Sequence, residues 1–142
     1  MAGHREYAAS NHLFPDRFQS DKFLEQFVEF YYKAFDSDRS SLASLYNEKS
    51  MLTFEASAHQ GAQNIVQKLM DLPFSKIEHQ VATFDAQPSS ESGGILVVVS
   101  GALLVEEERR PMSYVQTFQL LPNGSGSYFI FNDVFRLVYP AA

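Results

Sequence analysis

The side chains that could carry acid–base, nucleophilic or metal chemistry are few in this sequence. There are four histidines, His4, His12, His59 and His79, and no cysteine. Without cysteine there are no disulfides, thiol nucleophiles or Cys-ligated metals, and the histidines lack metal-ligand spacing. No phosphate-binding glycine loop or His-Glu-x-x-His is present; the Gly-x-Gly of "NGSGS" falls inside a hairpin and reads as a turn. His79 has polar neighbours in a strand-like run and reads as a hydrogen-bonded structural histidine. Asp85 and Asp133 serve as general bases only if buried, and otherwise as hydrogen-bonding partners at strand or turn positions. Two features remain. One is Phe54-Glu55, a large aromatic beside an acid at the end of "SMLTFE". The other is Glu106-Glu107-Glu108 in "LLVEEERRP". By residue type alone the acid run is a solvated strand end or a docking patch for a basic partner, its field weakened by Arg109 and Arg110.

These residues need a scaffold, and 142 residues suffice for one domain with a sizeable core. The net charge of −6 disfavours nucleic acid and anionic membranes and favours a basic protein or cationic ligand. The chain has 13 Phe and 7 Tyr but no Trp, so phenylalanine-rich cores and pockets are expected. No apolar run reaches the roughly 18–20 residues of a membrane span, and residues 1–20 lack the apolar stretch of a secretory signal. No cofactor is implied.

Residues 1–19 are polar without a clear period and read as a mobile N-terminal extension, followed by one domain over residues 20–142. Ser20 or Asp21 caps a helix with Phe23, Phe27, Phe30, Tyr31 and Ala34 at helical spacing. Ser37 or Asp38 caps a short second helix carrying Leu42, Leu45 and Tyr46. "SMLTFE" is a short strand, and "GAQNIVQKLMDLPF" a third helix with an Ile65, Leu69 and Leu72 stripe stopped by Pro73. Thereafter the period switches to that of strands. "KIEHQVATFDAQP", "GILVVVSGALLVEE", "PMSYVQTFQLLP" and "SYFIFNDVFRLVY" are joined by "SSESGG", "ERRP" and "NGSG". Helices followed by a four-strand meander predict an α+β fold with an antiparallel sheet. "ILVVV" and "YFIF" are apolar on both faces, so a homodimer through the sheet is the simplest cover for the second face.

"FVEFYYKAFDSDRSSLASLYNEKSMLTFE", "GAQNIVQKLMDLPFSKIEH", "DAQP" and "FNDVFRL" together resemble the nuclear transport factor 2 family, in register from about Phe23 to Tyr139. The resemblance implies a cone-like α+β fold, a curved antiparallel sheet wrapped by three helices around a hydrophobic cavity, and a homodimer. It implies a non-enzymatic import carrier for the GDP form of the small GTPase Ran. In the family a Ran phenylalanine enters the cavity mouth, flanked by basic residues that meet acids on the rim. The rim acids fall on Glu55, Glu106 and Glu108. The cavity positions fall on Phe54, where many members have Trp, and on Leu72, Ile77, Val98, Met112 and Val134. The family also binds phenylalanine–glycine repeats of nucleoporins near the start of the first helix. The usual aromatic position there is Ser20, leaving Phe18 and Phe23 to substitute. Residence in cytoplasm and nucleus, concentrated at the nuclear pore, is implied too. Relatives of other function share the fold: the small subunit of an mRNA-export heterodimer, a stress-granule adaptor domain, and small isomerases or dehydratases. An enzyme needs an acid or base inside the cavity, whereas the lining implied here is apolar with acids at its rim.

Overall fold

A computed structural model describes residues 17–139 except Ser75 and Glu107, with side chains from Lys22 onward apart from that of Arg109. The first helix, α1 (Arg17–Ser37), begins three residues ahead of Ser20. It buries Leu24, Val28, Tyr31, Tyr32 and Phe35, a stripe with the 3.6-residue period of a core-facing helix. Of the expected stripe, Tyr31 and Ala34 are buried, while the rest is rotated off the core. Phe23 and Phe27 lie on its flank, half-buried, and Phe30 is exposed. A 3₁₀ helix (Arg39–Leu45) follows, and Tyr46 starts the first strand instead of ending this helix. The Arg39 guanidinium donates to the carbonyls of Leu69 and Phe74, both at 2.8 Å. It thereby satisfies one orphan carbonyl at the end of the next helix and ties down the chain that leaves it.

Six strands follow: β1 (Tyr46–Phe54), β2 (Ser57–Gln60), then, after helix α2 (Ala62–Met70), β3 (Ile77–Pro88), β4 (Ile95–Val105), β5 (Glu108–Pro122) and β6 (Tyr128–Val138). They form one sheet in the order β2-β1-β6-β5-β4-β3. The β3–β6 meander is antiparallel as expected, while β1 lies parallel to β6. The β1–β2 hairpin has no counterpart in the sequence reading. Its turn is Glu55-Ala56, with φ of +50° and +76°. Two-residue hairpin turns of this hand normally use Asn-Gly or Asp-Gly, so the signal that would announce it is missing. The β4–β5 turn also moves. Val105 pairs with Glu108, so the strands already meet there and "RRP" falls inside β5. Three residues, 109–111, there oppose one, Leu104, so Pro111 sits in a bulge where a strand tolerates its missing N–H.

Alternation decides the core. Ile95, Val97, Val99, Leu103 and Val105 of β4 are buried with Tyr114, Phe118 and Leu120 of β5 and Ile130 and Phe135 of β6. All three helices contribute to this core, through Tyr31, Leu42, Ile65 and their neighbours. Gly101 breaks the alternation of β4 opposite a bulge between Val81 and Thr83. A Cβ there would stand 2.2 Å from the Gln80 carbonyl oxygen, so the strands approach as closely as they do only because it is glycine. Gly101→Ala is expected to destabilise the fold by at least about 2 kcal/mol through backbone displacement, measured by urea denaturation against the unchanged sequence.

Candidate functional site

The meander gathers five strand ends at one end of the sheet. β1 leaves at Phe54 and β6 at Val138, β5 enters at Glu108, β4 leaves at Val105 and β3 enters at Ile77. Phe54, Phe135 and Tyr114 form a stacked row there. Phe54 lies 4.6 Å from Phe135 at 2°, and Phe135 lies 5.5 Å from Tyr114 at 16°. The ammonium of Lys68, from α2, is 5.8 Å from the Phe54 ring centroid, within cation–π range. Leu72 and Ile77 are buried in the same core, and Met112 packs against it half-buried. Four of the six cavity residues expected from sequence thus share one apolar cluster at this end.

Val98 and Val134 do not. Each is on the opposite face, 38% and 43% exposed, in the cross-strand row Asp85–Val98–Thr117–Val134–Thr53. The strand period forces this, because Val97, Val99, Asp133 and Phe135 point inward. The run "ILVVV" is apolar on both faces, so its phase was not legible. Asp85 ends the same outer row and is exposed.

The acids stand around this end of the sheet. Glu55 occupies the first positive-φ position of the β1–β2 turn; its N–H donates to the Phe135 carbonyl at 3.1 Å, and its carboxylate accepts the N–H of Leu137. The side chain is therefore clamped against β6. Glu106 and Glu108 flank the tip of the β4–β5 hairpin and are exposed, and the Glu106 N–H donates to the Lys76 carbonyl at 3.1 Å. Glu107 lies outside the described residues. Glu106 and Glu108 are thus solvated, at the same end of the sheet as Glu55.

The other chemistry-bearing residues fall into two interior sets. Asp36 of α1 accepts both the imidazole Nδ1 of His79, at 2.7 Å, and its main-chain N–H, at 2.9 Å. His79 therefore ties α1 to β3, the structural role expected for it. Asp133 is fully buried. It accepts Tyr46 Oη at 2.7 Å, Gln116 Nε2 at 2.7 Å and Tyr31 Oη at 3.3 Å. Gln116 in turn accepts Tyr32 Oη at 2.7 Å. Burial raises the carboxyl of Asp133 to about 6 despite these three donors. Burial also raises Tyr31, Tyr32 and Tyr46, so the phenols stay neutral donors, and Tyr114 is pushed up to about 12. Asp133 thus ties α1, β1 and β5 to β6 from inside the core. This network was not foreseen, although Tyr31, Tyr32 and Tyr46 are tyrosines at core positions, where each hydroxyl needs a partner.

At the other end of α1, Phe23, Phe27, Phe30, Leu120, Tyr128 and Phe129 help line an apolar pocket of about 220 Å³. Phe23 and Tyr128 are 5.1 Å apart across it. The side chain of Phe18 lies outside the described residues. Among the described residues there is no cluster of metal-ligating side chains, and no helix is long and apolar enough to cross a membrane.

Three helices with a curved, unclosed six-stranded sheet, and acids standing at one end of its apolar core, define a cone-like α+β domain. The nuclear transport factor 2 (NTF2) domain profile matches residues 23–137, and the chain belongs to that family. It is 75% identical over 118 residues to nuclear transport factor 2 of Davidiella tassiana, covering 83% of this chain and 94% of that one. Family members of the same name from other fungi share 52–64%. The structure of nuclear transport factor 2 from Cryptosporidium parvum superposes with a TM-score of 0.77 at 39% identity, covering 83% of this chain and 94% of that one. A hexachlorocyclohexane dehydrochlorinase from Novosphingobium barchaimii, at 14% identity and a TM-score of 0.73, covers 87% of this chain and 90% of its own. At that identity it shares the fold alone. The family and the shared name of its members support a role in nuclear transport.

Proposed function

We propose that this chain is a non-enzymatic nuclear import carrier that binds Ran in its GDP form at the acidic end of the sheet. The observation that carries the reading is Glu55, clamped by Leu137 beside the stacked Phe54–Phe135–Tyr114 row. An inserted phenylalanine would meet apolar surface worth roughly 1.5–3 kcal/mol. Basic residues flanking it would meet Glu55 on one side and the Glu106–Glu108 hairpin on the other. Contacts of this kind read the shape of the GTPase switch, so the nucleotide itself need not be touched.

The test is calorimetric titration into Ran loaded with GDP and, in parallel, with a non-hydrolysable GTP analogue. Binding to the GDP form alone is expected; binding to neither would overturn the carrier reading.

Phenylalanine–glycine repeats of nucleoporins would use the pocket around Phe23, where a repeat phenylalanine joins Phe27 and Tyr128. Phe23→Ser is expected to weaken repeat-peptide binding at least tenfold in a pull-down series, leaving Ran-GDP binding unchanged. Equal loss at both sites would mean the substitution acts on the fold. The outer row of Val98, Thr117 and Val134 supports a homodimer through the sheet. With the two binding surfaces apart on the molecule, the carrier would shuttle between cytoplasm and nucleus and concentrate at the pore.

A further inference from the structure

The turn between β5 and β6 reads Asn123-Gly124-Ser125-Gly126-Ser127, and Asn123 is the one asparagine of the chain that is followed by glycine. Asn47 precedes Glu48, Asn64 precedes Ile65 within α2, and Asn132 precedes Asp133 within β6. Asn123 Oδ1 accepts three hydrogen bonds, from the Ser125 N–H at 2.9 Å, the Ser125 hydroxyl at 3.0 Å and the Ser127 N–H at 3.2 Å. The Asn123 N–H donates to the Ser127 carbonyl at 2.9 Å. The turn thus grips Asn123 by its side-chain oxygen. Its Nδ2 and the N–H of Gly124 make no hydrogen bond among the described residues. Gly124 is exposed with φ of +85°, and a Cβ there would meet nothing within 4 Å. Water and hydroxide therefore reach its amide.

Donors fixed on a carbonyl oxygen polarise the carbon beside it. They also stabilise the negative charge that gathers on the oxygen when a nucleophile adds. The next nucleophile along the chain is the nitrogen of Gly124. It closes a five-membered ring on Asn123 Cγ, and glycine has no β-carbon to hinder that approach.

We propose that Asn123-Gly124 is a self-modification site, at which the folded turn promotes loss of the Asn123 side-chain amide. The Gly124 nitrogen gives its proton to solvent and attacks Asn123 Cγ. A Gly124 N–Cγ bond forms, the Cγ–Nδ2 bond breaks, and Nδ2 takes a proton from solvent and leaves as ammonia. Water then opens the cyclic imide. Cleavage at Cγ yields aspartate, and cleavage at the main-chain carbonyl of residue 123 yields isoaspartate. Aspartate keeps the turn, because its carboxylate accepts from the same three donors. Isoaspartate lengthens the main chain by one methylene inside a hairpin whose closing pair is Pro122 and Tyr128. Tyr128 lines the pocket with Phe23, 5.1 Å from it, so the second product reaches that pocket. The site does not depend on the Ran reading.

The full chain and an end-capped peptide spanning Leu121–Phe129 are aged side by side at neutral and mildly alkaline pH. Conversion of amide to acid is followed by peptide mass spectrometry. Asn123 is expected to convert at least as fast in the folded chain as in the peptide, and faster at the higher pH. Asn47, Asn64 and Asn132 are expected to stay intact over the same period. Ser125→Ala removes the hydroxyl donor and leaves both main-chain donors in place. It is expected to slow conversion about threefold in the full chain and to leave the peptide rate unchanged. Slower conversion in the folded chain than in the peptide would mean that the turn protects the asparagine, and would overturn the proposal. A Ser125→Ala chain that converts as fast as the unchanged one would overturn the role of the donors. Separated by ion exchange, the isoaspartate form is expected to shift the amides of Phe23 and Tyr128 more than Asn123→Asp does. Equal shifts would overturn the link to the pocket.

Discussion

Glu55→Lys will abolish binding to Ran-GDP, an expected loss of at least about a hundredfold, or about 2.7 kcal/mol. Charge pairs at the centre of an interface couple by roughly 1.5–7 kcal/mol, and reversal adds repulsion to the lost attraction. The geometry adds a complication that the residue types do not reveal. The Glu55 carboxylate also holds the Leu137 N–H, so lysine removes an acceptor from a main-chain donor and costs stability. Glu55→Gln separates the two effects: its amide oxygen still accepts from Leu137 while the charge is gone. The glutamine variant is expected to keep the melting behaviour of the unchanged protein and lose about tenfold in calorimetric affinity. Wild-type affinity in the glutamine variant would remove the charge of Glu55 from the contact.

The second large effect lies in the core. Asp133→Ala strands the hydroxyls of Tyr31 and Tyr46 and the amide of Gln116, and is expected to cost about 3–5 kcal/mol. The pH dependence is more specific. The Asp133 pKa is raised from 3.8 to about 6 in the folded protein. Its contribution to stability is therefore fully present below pH 3.8 and is lost as pH rises through 6. A shift of about two units corresponds to about 3 kcal/mol gained on acidification from neutrality, against the ordinary acid loss from other carboxylates. Asp133→Asn, with one acceptor oxygen and no charge, is expected to flatten this component. Urea midpoints at pH 7.5, 5.5 and 4.5 measure it; parallel curves for variant and wild type would mean that Asp133 does not titrate in this window.

How far the sequence discloses this molecule depends on which local signals are redundant. The meander is legible because each strand is long and its turns are rich in Ser, Gly and Asn. β2 is hidden, because four residues after a Glu-Ala turn carry no pattern of their own. The phase of α1 is misread because aromatics surround the helix, and packing against the sheet, not helical period, selects Leu24, Val28 and Phe35. The same ambiguity put Val98 and Val134 on the wrong face. The acids at Glu55, Glu106 and Glu108 are legible as charges, yet nothing local says that hairpins about fifty residues apart deliver them to the same end of the sheet. Asp133 is visible as an acid in an apolar strand. Its partners are supplied by α1, β1 and β5, which only the fold assembles.

The Glu55-Ala56 turn has a kinetic corollary. Two consecutive non-glycine residues at positive φ each cost of order 1 kcal/mol, and the bond to Leu137 helps hold them there. One acid therefore reaches any partner with its rotamer already fixed, whereas Glu106 and Glu108 sit exposed on a hairpin tip. Exposed charges speed encounter from many directions; a pre-organised one lengthens residence once contact is made. Ala56→Gly would relax the strain and stabilise the free protein, but loosen Glu55. Its signature would be an unchanged association rate with faster dissociation.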